Sequence, residues 1–175
     1  MSISKFLDTK ALKGAKASGG NRNYFRPGEF LTQVEGVKFD ETRKKVGFFA
    51  AQFKLISAAV DDPKDAGVMA VGKTVDFYCG SDSDWYLGNI KQLLEAITGY
   101  TQDEIDTLDD KQFEEVVENL FGSAQGAAGQ FVYVMCRAGV TKTGKREGQP
   151  NAIPNFHHPK PEHFAAAGLE PPVAA

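Results

Sequence analysis

The sequence predicts a mainly β domain of five short strands, with helices inserted between the third and fourth strands. Apolar and polar residues alternate with the period of two that strands require, up to about residue 80 and again after about residue 130. Between these stretches, apolar residues recur at three- and four-residue spacing, which is typical of helices with one buried face. The chain has 175 residues, 42% of them hydrophobic, which is enough for one core of ordinary size.

The sequence divides into an arm, a domain and a tail. Residues 1–26 are predicted to form a basic N-terminal arm, which carries lysines around a weak helical pattern and ends in a turn-rich cluster. Residues 27–156 form the predicted domain. Residues 157–175, rich in Pro and Ala, are predicted to form a C-terminal tail that is extended or loosely docked.

Three strands are expected before the helices. They cover Glu29–Phe39, Gly47–Ala58 and about Val68–Cys79, each with alternating apolar and polar positions. Successive side chains of a strand point to opposite faces, so the apolar set of these strands defines a core face. The same alternation places Phe48 and Tyr78 on the other face, which we call the outer face.

The helical insertion is expected at about residues 84–121. It begins with an amphipathic helix that Gly99 ends. A capping-box pattern, with Thr101 followed three residues later by Glu104, then opens a short helical turn. A further helix is predicted from Asp110 to Phe121, with Asp109 as its N-cap.

The last two strands are expected at Gln130–Val140 and about Asn151–Phe156, joined by a polar turn. The predicted order of elements is three strands, a helical insertion and two further strands. An OB-type barrel has the same order. Barrels of this type bind oligonucleotides and oligosaccharides. The sequence therefore predicts a five-stranded OB-like barrel with α-helices between strands 3 and 4.

The net charge of -3 is unevenly distributed. Residues 92–120 hold nine acidic residues and one basic residue, and the rest of the chain is net basic. The acidity therefore belongs to the predicted helices and does not exclude a nucleic-acid partner. No apolar run is long enough for a membrane span or a secretory signal, so we expect a cytoplasmic protein with no membrane partner. Cys79 and Cys136 are expected to be reduced and to lie in strands.

Signatures of catalysis are missing from the sequence. It has no Gly-rich phosphate loop, no Gly-x-Ser-x-Gly nucleophile motif and no His-Glu-x-x-His zinc helix. The three histidines crowd into the tail, far in sequence from the two cysteines and at spacings that match no zinc motif. We therefore expect no enzyme activity, no cofactor and no metal.

Basic hairpin tips and aromatic residues between them match what single-strand binding requires. Such proteins combine a positive groove along the phosphates with aromatic faces on which bases stack. The candidate phosphate contacts are Arg43, Lys44, Lys45, Arg137, Lys142, Lys145 and Arg146. The candidate stacking residues are Tyr78, Trp85 and Tyr133, and Tyr86 is a further candidate for nucleic-acid binding. Each strand aromatic has a competing interpretation as a core residue, and Trp85 has one as a hydrophobic staple that closes the end of the barrel.

Several segments between residues 27 and 156 carry a resemblance to a known family. They are Pro27–Leu31, Phe49–Ile56, Leu87–Gly99, Gly129–Cys136, Lys142–Lys145 and Asn151–Asn155. They resemble the opening strands, the inserted helix and the closing hairpin of bacteriophage single-stranded DNA-binding proteins with an OB fold. The resemblance implies a non-sequence-specific protein that coats and protects single strands in replication or recombination, with phage replication proteins as further partners. It implies no catalysis and no cofactor.

One feature departs from that family, and two other functions stay open. Many single-strand binders end in an acidic tail that docks partner enzymes, whereas this chain ends in a Pro- and Ala-rich run. The first alternative is a virion structural or assembly protein whose arms clamp neighbouring subunits. The second is an inhibitor whose acidic helices mimic DNA, through Glu114, Glu115 and Glu118. Homo-oligomerisation is compatible with each of these functions.

Overall fold

A computed structural model describes residues 23–42, 45–122, 125–141 and 148–172. Five strands are present in this part of the chain: β1 (Gly28–Glu41), β2 (Gly47–Val60), β3 (Thr74–Gly80), β4 (Phe131–Val140) and β5 (Pro150–His157). Four α-helices accompany them: α1 (Tyr86–Thr98), α2 (Gln102–Thr107), α3 (Asp110–Phe121) and α4 (Pro161–Ala166). A 3-10 turn, Pro63–Asp65, follows β2.

The strands form one antiparallel sheet in the order β3-β2-β1-β4-β5. The prediction of a mainly β fold with helices after the third strand is confirmed. The predicted alternation is also confirmed, because Phe49, Phe53 and Phe77 are buried on one face while Phe48 and Tyr78 belong to the other. The β1–β2 register is irregular at two places, where Ile56 of β2 and Glu35 of β1 are left without a partner, and bulges of this kind bend a strand and increase its twist.

The third strand is shorter than its apolar pattern suggested. It starts at Thr74 and not near Val68, because residues 63–73 form turns that lead back to the sheet. Within this segment Met69 is buried, and its backbone N–H donates to the Asp65 carbonyl at 2.9 Å. An apolar residue that is buried from a turn has the same sequence signature as one that is buried from a strand.

The sheet is not closed into a barrel, since the described residues of β3 and β5 are not paired. Helix α1 packs against β3, β4 and β5 on the core side, where closure would occur. The Gln92 side chain of α1 accepts a hydrogen bond from the Phe156 backbone N–H of β5 at 3.1 Å. In addition, Pro150 and Pro154 remove two backbone donors from β5. These features explain why the predicted barrel is open at this seam.

The free edge of β3 is occupied by the chain that precedes β1. The Asp76 backbone N–H donates to the Asn23 carbonyl at 2.7 Å, and Tyr24 forms an isolated parallel bridge with Asp76. Phe25, the next residue, is buried against Phe30 and Phe53, with ring centroids 5.5 and 5.6 Å away. The end of the predicted arm is therefore part of the folded domain.

One continuous core fills the space between the inner face of the sheet and the helices α1 to α3. Phe156 of β5 packs against Phe77 of β3 with ring centroids 5.0 Å apart, and stacks on Phe53 at 5.6 Å. The contact between Phe156 and Phe77 joins the edge strands β5 and β3, which are not paired through their backbones. Both cysteines are buried, unpaired and in strands, as predicted.

The described part of the C-terminal tail contains a helix. Residues 161–166 form α4, whose Phe164 is buried with its ring centroid 5.3 Å from that of Phe131. The prediction of an extended or loosely docked tail is therefore wrong for this segment, because an aromatic side chain anchors it to the sheet. Among the helices of the described residues, none has both the length and the apolar character that a membrane crossing demands.

Candidate nucleic-acid interface

Two aromatic rings form a pair on the outer face, at the end of the sheet where the β1–β2 hairpin turns. Phe48 and Tyr78 have ring centroids 5.0 Å apart and planes inclined at 35°. Tyr78 is 37% exposed, whereas its strand neighbours Phe77 and Cys79 are buried. The register pairs Phe48 with Gly80 and Tyr78 with Ala50, so both neighbours across the strands are small. The outer face therefore presents an aromatic surface at this end.

Trp85 lies close to the same end of the sheet. It is the N-cap residue of α1 and is 76% exposed. The turn that leads to it is fixed to β2, because the Ser81 backbone N–H donates to the Gly47 carbonyl at 2.8 Å. The staple interpretation of Trp85 is wrong, since a staple residue would be buried. An exposed indole on an anchored turn is instead available for stacking.

Tyr86, the next residue, faces the protein interior. It is half-buried and packs against the core, and burial is the main reason why its pKa is raised. The structure therefore places Tyr86 as a support beneath the turn, while Trp85 faces solvent.

Lys45 occupies the tip of the β1–β2 hairpin. Its φ is 59°, in the left-handed region, and its backbone N–H donates to the Thr42 carbonyl at 2.9 Å. Its side chain is exposed, at the end of the sheet that carries Phe48. Arg43 and Lys44, predicted as phosphate contacts at the same tip, lie outside the described residues.

Tyr133 and Arg137 belong to another part of the outer face. Tyr133 of β4 is paired with Leu31, near the start of β1, whereas the β1–β2 tip follows the end of that strand. Arg137 lies beyond the last residue of β4 that pairs with β1, and is exposed. The sequence pattern did not divide the candidate residues into groups. The strand register does, because Tyr78 lies near the end of β1 and Tyr133 lies near its start. Three further candidates, Lys142, Lys145 and Arg146, lie outside the described residues.

The ring of Tyr133 is covered by the C-terminal helix. His163 of α4 stacks on it with centroids 3.6 Å apart and planes inclined at 11°. The Tyr133 hydroxyl donates to the Glu29 carboxylate at 2.5 Å. Burial, followed by the hydrogen bond and the charge of Glu29, raises the pKa of Tyr133 to about 12.

The sequence did not predict that His163 covers Tyr133 or that Phe164 packs on Phe131. One local signal for their helix was present, because Pro161 at the first helical position followed by Glu162 is a common helix start. The sheet residues that the helix meets are distant in sequence, and no local pattern identifies them.

A cleft of about 360 Å³ opens between the start of β1 and the second half of β4. Arg137 contributes to its wall together with the carboxylates of Glu29 and Asp61. Cys136 also lines it, but burial raises the pKa of this thiol to about 12, which makes it a poor nucleophile. The wall of the cleft therefore combines one basic residue with two acidic ones.

Charge differs between the two sides of the sheet. The acidic helix α3 packs on the core side, where Phe121 contacts Phe39 and Phe49 with centroid distances of 6.3 and 5.9 Å. On the outer face, Asp40 pairs with Lys38 at 2.5 Å, and this hydrogen bond is the main reason why the pKa of Asp40 is lowered. The acidic block thus lies across the sheet from the Phe48 and Tyr78 rings.

Two other acidic groups of the outer face have hydrogen-bond partners. Asp76 accepts from the Gln52 side chain at 3.0 Å, and Glu35 accepts from the Thr74 hydroxyl at 3.0 Å. No group of three or more metal-ligating side chains occurs within the described part of the chain. No protein-family model matches this sequence, and no curated protein matches it significantly.

Proposed function

We propose that this protein binds single-stranded DNA without sequence specificity, as phage single-strand binding proteins do in replication or recombination. The observation that carries the proposal is the aromatic surface at one end of the outer face. There the Phe48–Tyr78 pair and the exposed indole of Trp85 lie at the same end of the sheet as the cationic tip residue Lys45. Aromatic faces beside cationic groups are what non-specific single-strand binding requires, because every base has a face that can stack.

The strand order supports the proposal. An OB barrel is a partly open five-stranded Greek-key form whose strands 2 and 3 carry the oligonucleotide-binding face. Here β2 and β3 carry the Phe48–Tyr78 pair, and the helices follow β3. We interpret the fold as an OB-like sheet that is open between β3 and β5, with its binding surface in the position usual for that architecture.

The test is a titration of the full-length protein against fluorescein-labelled oligo(dT) at low salt, followed by anisotropy. We expect Tyr78→Ala and Trp85→Ala each to weaken binding by roughly 5- to 150-fold, which corresponds to about 1–3 kcal/mol for each stacked base. The matched control is Tyr100→Ala, which removes an exposed tyrosine that follows α1. It should leave affinity unchanged. Unlabelled single strands should displace the probe, whereas duplex of equal length should not.

Salt provides a second readout in the same titration. The logarithm of the affinity should fall linearly with the logarithm of the salt concentration, by about 0.7 for each phosphate neutralised on a single strand. Absence of binding by the wild-type protein at low salt would overturn the proposal. Equal losses in Tyr78→Ala and in the Tyr100→Ala control would also overturn it.

A further inference from the structure

Helix α4 is held on the outer face by a small apolar cluster of its own. Phe164 is 3% exposed and packs edge-to-face on Phe131, and Leu31 of β1 is 2% exposed. Leu31 and Phe164 are not members of the continuous core on the other side of the sheet. Helix α4 therefore packs on an apolar patch that is not part of the main core.

The second contact of α4 is the stack of His163 on Tyr133. The two rings are nearly parallel, with planes inclined at 11° and centroids only 3.6 Å apart. Planar nitrogen heterocycles stack on tyrosine in this arrangement, and nucleobases belong to the same chemical class. The imidazole therefore occupies the position that a base would take on this ring.

The polar surroundings of the stack favour a neutral ring. The Nδ1 atom of His163 accepts a hydrogen bond from the Lys160 backbone N–H at 3.1 Å, and only an unprotonated nitrogen can accept. Burial is the main reason why the pKa of His163 is lowered, against the charge of the neighbouring Glu162. Lys160 and Glu162 on its own segment, Glu29 on β1, Tyr133 on β4 and His157 on β5 are the ionisable groups that face it.

Helix α4 is anchored to the sheet by two ring contacts, Phe164 on Phe131 and His163 on Tyr133. The helix has six residues, and a helix this short is not stable in isolation. Its stability therefore depends on the Phe164 and His163 contacts.

We propose that Tyr133 is a second base-stacking platform, which His163 covers in the free protein and which a nucleobase occupies when α4 leaves. This inference rests on the proposed function and adds to it a site that a strand can enter only by displacing the C-terminal helix. Arg137 lies on the same strand and the same face, four residues further along, where it can contact the phosphates of a strand stacked on Tyr133.

The first test compares affinities for labelled oligo(dT) and oligo(rU). The double variant His163→Ala/Phe164→Ala removes both ring contacts, and we expect it to bind single strands roughly fivefold or more tightly than the wild type, the gain expected from one stacked base. Adding Tyr133→Ala to the double variant should abolish that gain. The matched control, Leu169→Ala, alters an exposed, uncharged residue of the same segment and should bind as the wild type does.

The second test uses the unmodified protein and is independent of variant folding. Because the two rings stack at 3.6 Å, we expect the Tyr133 ring to shift the aromatic proton signals of His163, so displacement of His163 can be followed by NMR while oligo(dT) is added. We expect these signals to move towards their positions in a free peptide as the strand binds.

The outcomes separate the inference from the proposed function. If oligo(dT) binds and quenches Trp85 while the His163 signals stay in place, the second platform is overturned and the first site stands. An unchanged affinity in the double variant would also overturn the second platform alone. If neither the wild type nor the double variant binds single strands, both proposals fail.

Discussion

At the scale of single residues, the Tyr133 hydroxyl shows how burial and a contact between strands together raise a pKa. It donates to Glu29 across the β1–β4 pair, and its pKa rises to about 12, mainly through burial and then through Glu29. A tyrosine of the unfolded chain ionises near pH 10. At about pH 10–12, the unfolded state therefore loses this proton and is stabilised, whereas the folded state keeps the proton and is not. The stability contributed by Tyr133 is complete below about pH 10 and is lost as the pH rises towards about 12.

We predict that this part of the alkaline loss of stability disappears in Tyr133→Phe, because phenylalanine has no proton to release. The measurement is urea denaturation of both proteins at a series of pH values from neutral to strongly alkaline. The free energy of unfolding of the wild type should fall more steeply above about pH 10 than that of the variant. Glu29→Gln is the companion variant, in which spectrophotometric titration should show the Tyr133 pKa moving back towards 10. Parallel curves for wild type and Tyr133→Phe would contradict the prediction.

At the scale of elements, α3 shows how far local chemistry specifies a helix. The Asp109 side chain accepts from the Gln112 N–H at 2.8 Å, and the Gln112 side chain accepts from the Asp109 N–H at 3.1 Å. This reciprocal pair satisfies donors that a helix N-terminus otherwise leaves unpaired. Both ends of α3 therefore fall where the sequence predicted them.

We predict that Asp109→Ala lowers the free energy of unfolding by about 1 kcal/mol, because it removes the side-chain acceptor of the cap. Asp109→Asn keeps an acceptor oxygen in the same place and should lose much less. Urea denaturation of the two variants beside the wild type measures the difference. Equal destabilisation by alanine and asparagine would show that the carboxylate acts through its charge and not as a cap.

The elements that the sequence predicted well are those fixed by local signals. Alternation identified the two faces of β2, and the cap identified α3. Helix α4 was missed because its stability depends on Phe131 and Tyr133, about thirty residues away in sequence, and six residues carry too little helical signal. The length of β3 was overestimated because burial of Met69 from a turn mimics strand periodicity.

The candidate site was predicted only in part. Alternation placed Phe48 and Tyr78 on the outer face, as the structure has them, but it could not show that His163 covers Tyr133.

At the scale of the whole molecule, one side chain links the two edges of the open sheet. Phe156 of β5 stacks on Phe53 of β2 and meets Phe77 of β3 edge-on, and it is 2% exposed. Backbone hydrogen bonds hold the other strand pairs together, whereas the β3–β5 seam depends on these rings and on the Gln92 contact from α1.

We predict that Phe156→Ala destabilises the protein by about 3–5 kcal/mol, the cost typical of emptying a buried phenylalanine site. The control is Ile153→Ala on the same strand, where the side chain is 49% exposed and the loss should be well under half as large. Thermal and urea unfolding of both variants measure the two losses. A loss below about 1 kcal/mol for Phe156→Ala would show that the seam is held by other contacts.

The contact of Asn23 and Tyr24 with the edge of β3 has a consequence for the segment that precedes them. Residues 1–22 carry five cationic side chains and one acidic one: Lys5, Lys10, Lys13, Lys16, Arg22 and Asp8. Asn23, which follows them directly in sequence, bonds to Asp76, and Asp76 lies on the same strand and the same face as Tyr78. Chain connectivity therefore joins this net positive charge to the strand that carries Tyr78.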